Sequence, residues 1–205
     1  AHIKGLLQVG PDEEITAIVS LMNFSDDLYI FMTTSNGVVK KVRSSEFARA
    51  KTRGIIGIKL NDGDKLISAI ATKGDSDIML ISRRGKGLRF KDSSVRSMGR
   101  ASCGIKGMKL AEGDEIAAAV KVEDDTSMIL MTEKGYGKKI SFDHYSAHGR
   151  GTGGQRVFGN TEGKGEIIGA LNIKDSDELV CRTSQGKTLR FKSTDIKEQG
   201  SGASG

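Results

Sequence analysis

Several residue types and patterns are scarce in this chain of 205 residues. Tryptophan is absent, and proline occurs once. The chain has no run of about 18 apolar residues, the length that a membrane-spanning helix needs. No charged-then-apolar signal segment opens the sequence. We therefore expect a soluble, intracellular protein without a membrane partner.

Cysteine and aromatic residues are also rare. Cys103 and Cys181 are the only cysteines and lie far apart in the sequence. Neither a disulfide framework nor a metal-ligand pattern is therefore indicated. Aromatic residues make up 5% of the chain, which argues against stacking platforms for single-stranded nucleic acid. No cofactor is predicted.

Glycine, in contrast, is abundant and periodic. The segment 99–110, followed by an acidic turn at 111–115, has echoes at 53–64 and 149–158. Glycines spaced 49, 50, 50 and 51 residues apart mark the repeat: Gly5, Gly54, Gly104, Gly154 and Gly205. A fixed period of this length indicates a repeat protein. We predict a single domain, 1–205, with repeats at 5–53, 54–103, 104–153 and 154–205.

Each repeat has the pattern of about four short β-strands. In the second repeat, residues 66–71 and 77–82 are apolar runs, and residues 87–91 alternate after a tight turn. The connector then contributes a further strand at 105–110. No segment shows an apolar stripe of helical period. Each second strand ends at a turn glycine, where a positive φ is needed: Gly37, Gly85, Gly135 and Gly186.

Four-stranded units of about 50 residues are typical of propeller blades. We therefore predict an all-β, propeller-like fold of about four four-stranded blades. Residues 200–205 repeat the connector without a following strand. Because terminal units of repeat proteins normally carry atypical capping sequence, which is not seen here, we expect a fragment of a larger disc.

Alignment of the repeats on their turn glycines reveals a basic column in the third strand. Four residues after each glycine stands Lys41, Arg89, Lys139 or Arg190. The next residue is apolar in every repeat. Because strand side chains alternate between faces, we expect the apolar residue to point into the blade and its two neighbours to face outward. A solubilising strand face explains the polarity of this column but not its constant sign, so phosphate binding is favoured.

The charge of the whole chain supports an anionic partner. The net charge is +6, and residues 54–103 carry ten Lys and Arg against five Asp and Glu, whereas residues 104–153 carry seven against eight. A basic excess of this kind favours nucleic acid, here the backbone of a duplex. The candidate contacts are Lys40, Lys41, Arg43, Arg83, Arg84, Lys86, Arg89, Lys91, Arg100, Lys134, Lys138, Lys139, Arg150, Lys187, Arg190 and Lys192.

Other motifs favour plain structural roles. His144 and His148 lie at a corner without a third ligand nearby, so a solvated loop is favoured over a metal site. The segments 62–64 and 112–114 resemble calcium loops but lack the ladder of alternating ligands, and we interpret them as turns. No nucleophile, base and orienting group recur together, so no catalytic site is predicted.

Three long motifs lie at residues 54–64, 89–99 and 132–139, in the connectors and third strands. They resemble a known family, the C-terminal domain of the DNA gyrase A subunit, with the equivalent domain of topoisomerase IV as its close relative, and the resemblance covers essentially the whole chain. It implies a β-pinwheel, a propeller-like disc whose blades exchange a strand with their neighbours and whose basic rim wraps duplex DNA.

The resemblance also implies a non-catalytic, sequence-tolerant module of a type II topoisomerase in the bacterial cytoplasm, associated with the nucleoid. The implied partners are double-stranded DNA, the ATPase subunit of the enzyme and the rest of the topoisomerase A subunit. The Gln-Arg-Arg-Gly-Gly-Lys-Gly box of gyrase members, to whose first blade the resemblance assigns completion of the wrap, is not found in this sequence. We expect either that the first blade was left out of this fragment or that this is a relative without the box. The alternative hypothesis is a propeller scaffold that binds acidic protein partners, which would show little duplex affinity at any salt concentration.

Overall fold

The computed structural model of the chain describes residues 9–51 and 54–205, and nearly all of its regular structure is β-strand. The strands are β1 (Tyr29–Thr34), β2 (Val38–Arg43), β3 (Leu66–Thr72), β4 (Asp77–Ser82), β5 (Lys86–Lys91), β6 (Ile105–Lys106), β7 (Ile116–Lys121), β8 (Ser127–Thr132), β9 (Gly137–Ser141), β10 (Gln155–Arg156), β11 (Ile167–Ile173), β12 (Glu178–Arg182) and β13 (Thr188–Lys192). Short helical turns lie at Ser44–Phe47, Asp92–Ser94, Phe142–His144, Thr161–Lys164 and Ser193–Asp195. The all-β prediction is confirmed.

The strands form four antiparallel sheets that exchange strands between repeats. Their orders are β3-β1-β2-β6, β10-β5-β4-β7, β11-β8-β9 and β12-β13. Each of the first three sheets is a hairpin with an edge strand from the following repeat, and the first two add a short strand from the repeat after that. The last two sheets therefore have three and two strands instead of the four that we expected. Among the described residues no helix is long and apolar enough to cross a membrane.

The glycines that define the period lie where the backbone needs them. The turn glycines Gly37, Gly85, Gly135 and Gly186 have φ values of +79°, +85°, +85° and +82°. The connector glycines Gly54, Gly104, Gly154 and Gly205 have φ values of +68°, +90°, +68° and +80°. Residues with a Cβ rarely adopt this conformation, which explains why glycine recurs at these places. Gly5 lies outside the described residues.

The predicted connector strand at 105–110 is only partly correct. Residues 105 and 106 pair with β2 as strand β6. After that, the N–H groups of Gly107 and Met108 both donate to the Gly37 carbonyl, at 2.8 and 3.2 Å. Because two successive N–H groups converge on one acceptor, the chain bends around the hairpin turn and the strand ladder ends.

The core lies between adjacent sheets. The apolar column of the third strands is fully buried at Val42, Phe90 and Ile140, as predicted, but the fourth member, Phe191, is only half-buried. Phe31 and Phe90, from the first and second sheets, pack with their ring centroids 6.2 Å apart. The strands β3, β7 and β11 also pack side by side. Since β3 and β6 are opposite edges of the same sheet, the connectors lie on the edge away from this row.

The acidic turns accept hydrogen bonds from the hairpin turns of the preceding repeat. The Asp64 carboxylate accepts hydrogen bonds from the Ser35 hydroxyl and the Asn36 N–H at 2.9 and 3.0 Å. Asp114 likewise accepts from the Arg84 N–H at 3.1 Å. The interpretation of these segments as turns therefore agrees with the structure.

Candidate nucleic-acid interface

Four Gly-rich connectors lie next to one another along one edge of the sheets. We define connector 1 as residues 54–60, connector 2 as 99–110, connector 3 as 149–160 and connector 4 as 199–205. None of them contains Asp or Glu. Equivalent backbone hydrogen bonds join each connector to the next: Lys59 N–H to Ser102 O at 3.0 Å, Lys109 N–H to Thr152 O at 2.9 Å and Gly159 N–H to Ala203 O at 3.0 Å. We call this continuous surface the connector edge.

Two of the predicted arginines lie on the connector edge in equivalent positions. The Arg100 guanidinium donates to the Ile56 carbonyl at 2.9 Å, and the Arg150 guanidinium donates to the Lys106 carbonyl at 3.1 Å. Each contact joins one connector to the previous one. A guanidinium has five N–H donors, so these contacts orient the group and leave donors for an anion.

Further cations lie on the connector edge that the sequence reasoning missed. The exposed residues Lys106 and Arg156 stand at the same position of β6 and β10, and Lys59 and Lys109 are also exposed. Lys106 and Arg156 each follow a connector glycine by two residues. Aligning the repeats on these glycines places Lys106 and Arg156 in one column, but the same column holds Ile56 in connector 1, so the signal is weaker than that of the third strand.

The expectation that the first basic column faces outward is wrong for Lys41 and Lys139. Both side chains are buried, because the following repeat covers this face. The Lys41 ammonium donates to the Asp92 carbonyl at 2.8 Å, and its nitrogen is 4.0 Å from the Asp92 carboxylate. The Lys139 ammonium lies 2.8 Å from the Asp175 carboxylate. Acceptors within the protein therefore occupy both groups.

The arginines of the same column also pair with carboxylates. The Arg89 guanidinium lies 2.7 Å from the Asp77 carboxylate and donates to the Phe142 and Tyr145 carbonyls at 3.1 and 3.2 Å. Arg190 forms an ion pair with Glu178 but stays exposed. The guanidinium of Arg89 is thus held by groups of the protein, whereas the exposed guanidinium of Arg190 can exchange Glu178 for an ion from solvent.

Lys40 and Lys138, which we predicted as contacts, are fully buried. The Lys138 ammonium donates to the carbonyls of Gly200, Ser201 and Ala203 at 2.8, 3.0 and 3.1 Å. Burial lowers the pKa of Lys138 to about 8. Because their charged ends face inward, neither lysine can meet a phosphate directly in this conformation.

The remaining predicted cations lie on the hairpin turns and strand ends. Arg83 is half-buried, 2.7 Å from Glu166, and the hydrogen bond to Glu166 raises its pKa. The Arg84 guanidinium donates to the Glu112 carbonyl at 2.9 Å. The other predicted cations of this group are exposed: Arg43, Lys86, Lys91, Lys134, Lys187 and Lys192. Of these, Arg43 lies 3.9 Å from Asp26 and Lys91 lies 3.3 Å from Asp77.

Together, the exchanged strands and the connector edge define an all-β, propeller-like repeat domain with a cationic edge. A family model described as the DNA gyrase C-terminal domain, beta-propeller, matches residues 28–73, 76–123, 126–174 and 177–205. The chain therefore belongs to the DNA gyrase C-terminal domain family. Each of the first three matched segments contains one hairpin and the edge strand that follows it.

Similar proteins and structures agree with this assignment. The chain is 60% identical to the DNA gyrase A subunit of Treponema pallidum (strain Nichols), over 100% of the chain and 25% of the relative. It is 36% identical to the DNA gyrase A subunit of Salmonella typhimurium, over 99% of the chain and 23% of the relative. The chain thus spans about a quarter of the length of these curated relatives.

Two solved structures share the fold closely. The C-terminal domain of DNA topoisomerase IV superposes with a TM-score of 0.90 at 26% identity, covering 100% of this chain and 64% of that one. The DNA gyrase A C-terminal domain superposes with a TM-score of 0.90 at 30% identity, covering 98% of this chain and 68% of that one.

Proposed function

We propose that this chain is a non-catalytic module of a type II topoisomerase that binds duplex DNA along the connector edge and takes part in wrapping it. The observation that carries the proposal is the continuity of this edge. Hydrogen bonds join its connectors across the sheets, and the connectors contain no carboxylate. Its partly or fully exposed cations are Lys59, Arg100, Lys106, Lys109, Arg150 and Arg156.

The arrangement suits phosphates better than base edges. Reading bases in the major groove takes an α-helix or a β-ribbon. The one α-helix in the described part of the chain is the single turn Thr161–Lys164, and the strands of the connector edge, β6 and β10, are two residues each. Lysine and arginine contacts to phosphates fix the position of a protein on a duplex without selecting its sequence. We therefore propose binding that depends on DNA length and salt concentration more than on sequence.

Membership of the gyrase family supports the wider setting of this proposal. The relatives are named as the A subunit of DNA gyrase. The proposed partners are accordingly double-stranded DNA, the ATPase subunit of the enzyme and the rest of the topoisomerase A subunit. The proposed location is the bacterial cytoplasm, in association with the nucleoid.

The first test removes two cations from the connector edge. Lys106→Ala with Arg156→Ala changes equivalent exposed residues on β6 and β10. Each lost phosphate contact should flatten the plot of log affinity against log salt by roughly 0.9. We expect the slope for random duplex to fall by up to about 2, measured by fluorescence anisotropy over a range of salt concentrations.

The matched control removes the same charge from other surfaces. Lys65 and Lys174 are exposed and lie outside the connectors, so Lys65→Ala with Lys174→Ala should leave the slope almost unchanged. Equal effects of the two pairs would show that net charge, and not the connector edge, controls binding. Absence of duplex affinity at any salt concentration would instead favour the scaffold for acidic proteins.

A further inference from the structure

A buried lysine joins two connectors at the first sheet. The Lys40 ammonium donates to the carbonyls of Gly57 and Ser102, each at 2.9 Å, and to the carbonyl of Arg100. Gly57 belongs to connector 1, whereas Arg100 and Ser102 belong to connector 2. The side chain of Lys40 is fully buried. One ammonium therefore holds the backbone of two neighbouring connectors together.

A similar arrangement, with all three acceptors in one connector, recurs at the third sheet. Lys138 stands at the equivalent place, three residues after its turn glycine. Its ammonium binds three carbonyls of connector 4, two of which, Ser201 and Ala203, correspond to Arg100 and Ser102. Leu88 occupies this place in the second sheet and is also buried. The fold therefore accepts a buried leucine at this position.

We call each set of three carbonyl acceptors around a lysine ammonium a connector cage. Each cage gives every N–H donor of its lysine a hydrogen-bond acceptor. An ammonium has three N–H donors and no acceptor, and each cage supplies three carbonyl oxygens. A buried charge is tolerated only with such partners. Without the ammonium, the carbonyls of these connectors would lose a partner inside the protein and would turn toward water. Because a glycine-rich chain has many alternative conformations, the cage selects one of them.

We propose that Lys40 is a positioning residue for DNA binding: it cannot touch DNA, but it fixes the connector backbone that presents Arg100. Arg100 contacts this cage or its immediate neighbour at both ends, while its backbone N–H donates to the Glu46 carboxylate at 3.2 Å. Its carbonyl is one of the three acceptors, and its guanidinium donates to Ile56, the residue before Gly57. The functional part of this inference rests on the proposed duplex binding, whereas the structural part does not.

The structural part is tested without DNA, by amide hydrogen exchange on the 205-residue chain. In Lys40→Leu, which introduces the residue found at position 88, we expect the amide of Lys59, bonded to Ser102, to exchange at least about tenfold faster. The amide of Lys109, bonded to Thr152 of connector 3, should keep its rate. Unchanged exchange at Lys59 would overturn the positioning role whatever the DNA result.

The functional part is tested by a double-mutant cycle at pH 7. Arg100→Ala and Lys40→Leu should each lower duplex affinity about three- to tenfold. If Lys40 acts through Arg100, adding Lys40→Leu to Arg100→Ala should cost no further affinity. Additive losses would show that Lys40 affects the fold in general and would overturn the proposal. If wild type does not bind duplex, the proposed function fails, and the exchange experiment still decides the structural part.

Lys138→Leu is the matched control, because connector 4 contains no Lys or Arg. It should accelerate exchange of the Gly159 amide, which donates to Ala203, while duplex affinity changes less than about twofold. An affinity loss as large as that of Lys40→Leu would overturn the link to Arg100. If Lys40→Leu does not fold, Lys40→Gln, which keeps two N–H donors, replaces it, with smaller effects expected in the same directions.

Discussion

Arg89 and Arg190 stand at the same position of their repeats, yet they have different surroundings. Arg89 and its partner Asp77 are 21% and 12% exposed as side chains, whereas Arg190 and Glu178 are 71% and 41% exposed. The following repeat also gives Arg89 two carbonyl acceptors, Phe142 and Tyr145. A repeated residue therefore takes its role from what covers it, and Arg89 is a structural group.

Replacing each of these two arginines by alanine should show how much each ion pair contributes to the free energy of unfolding. Removing one partner of a largely buried ion pair is strongly destabilising, and Arg89→Ala leaves the Asp77 carboxylate with only the exposed Lys91, at 3.3 Å. It should therefore lower the free energy of unfolding by about 2–4 kcal/mol. Arg190→Ala removes an exposed pair and should cost less than about 1 kcal/mol. Urea unfolding followed by circular dichroism measures both. Equal losses would contradict the structural role of Arg89.

The Arg89 pair should also give a pH dependence. Burial acts to raise the pKa of Asp77, but hydrogen bonds from Arg89 and Lys91 outweigh it and hold the pKa below its ordinary value of 3.8. A carboxyl with a depressed pKa stabilises the fold above its unfolded pKa and loses this contribution as pH falls through its folded pKa. Wild type should therefore lose the part of its advantage over Arg89→Ala that comes from Asp77 as pH falls below about 4, while the part from the Phe142 and Tyr145 carbonyls should remain. A constant difference down to pH 2 would contradict this assignment.

At the scale of elements, the connectors join neighbouring repeats to one another. The backbones of connectors 2 and 3 each form hydrogen bonds with a hairpin of an earlier repeat and with the connector on either side. Gly154 shows how tightly connector 3 is fitted: its φ is +68°, and an added Cβ would lie 2.3 Å from the Gly87 carbonyl oxygen. The neighbouring Gly153 has no atom closer than 3.8 Å to the corresponding position.

Alanine at these two glycines should therefore behave differently. Gly154→Ala requires a strained φ and a backbone shift, and should destabilise the chain by about 2 kcal/mol or more. Gly153→Ala is expected to stay within about 0.5 kcal/mol of wild type. Thermal unfolding of both variants checks this. A neutral Gly154→Ala would show that the connector can move away from β5 without cost.

Local features of the sequence were enough to predict the strands but not the environment of each cation. Strand β4, at Asp77–Ser82, agrees with its predicted range because apolar runs and turn glycines act within a few residues. Alternation correctly placed Phe90 inside. It could not show that Lys41 meets Asp92, because that contact depends on a repeat some 50 residues later. The connector cages of Lys40 and Lys138 are non-local in the same way.

At the scale of the whole molecule, the connectors differ in charge from the rest of the chain. They carry six cations and no carboxylate, whereas all 26 Asp and Glu lie outside them, spread over turns, loops and strands. Bending 20–30 base pairs of DNA costs on the order of 1–6 kcal/mol, so several phosphate contacts are needed to hold a curved duplex. The six cations of the connector edge could supply a salt slope of up to about 5.

Bending is not the same as directional wrapping, and the last prediction separates them. The connector edge of this chain contains cations but no Gln-Arg-Arg-Gly-Gly-Lys-Gly box, to which the family resemblance assigns completion of the wrap. We therefore expect the chain to shorten the end-to-end distance of a linear duplex in fluorescence energy transfer. When nicked circular DNA is ligated in its presence, the mean linking number should barely change.

The control for both measurements is the variant with Lys106→Ala and Arg156→Ala, which should also fail to shorten the linear duplex. A large change of one sign in the linking number of the wild-type sample would show that these four units wrap DNA without the box, because only a chiral path shifts the mean.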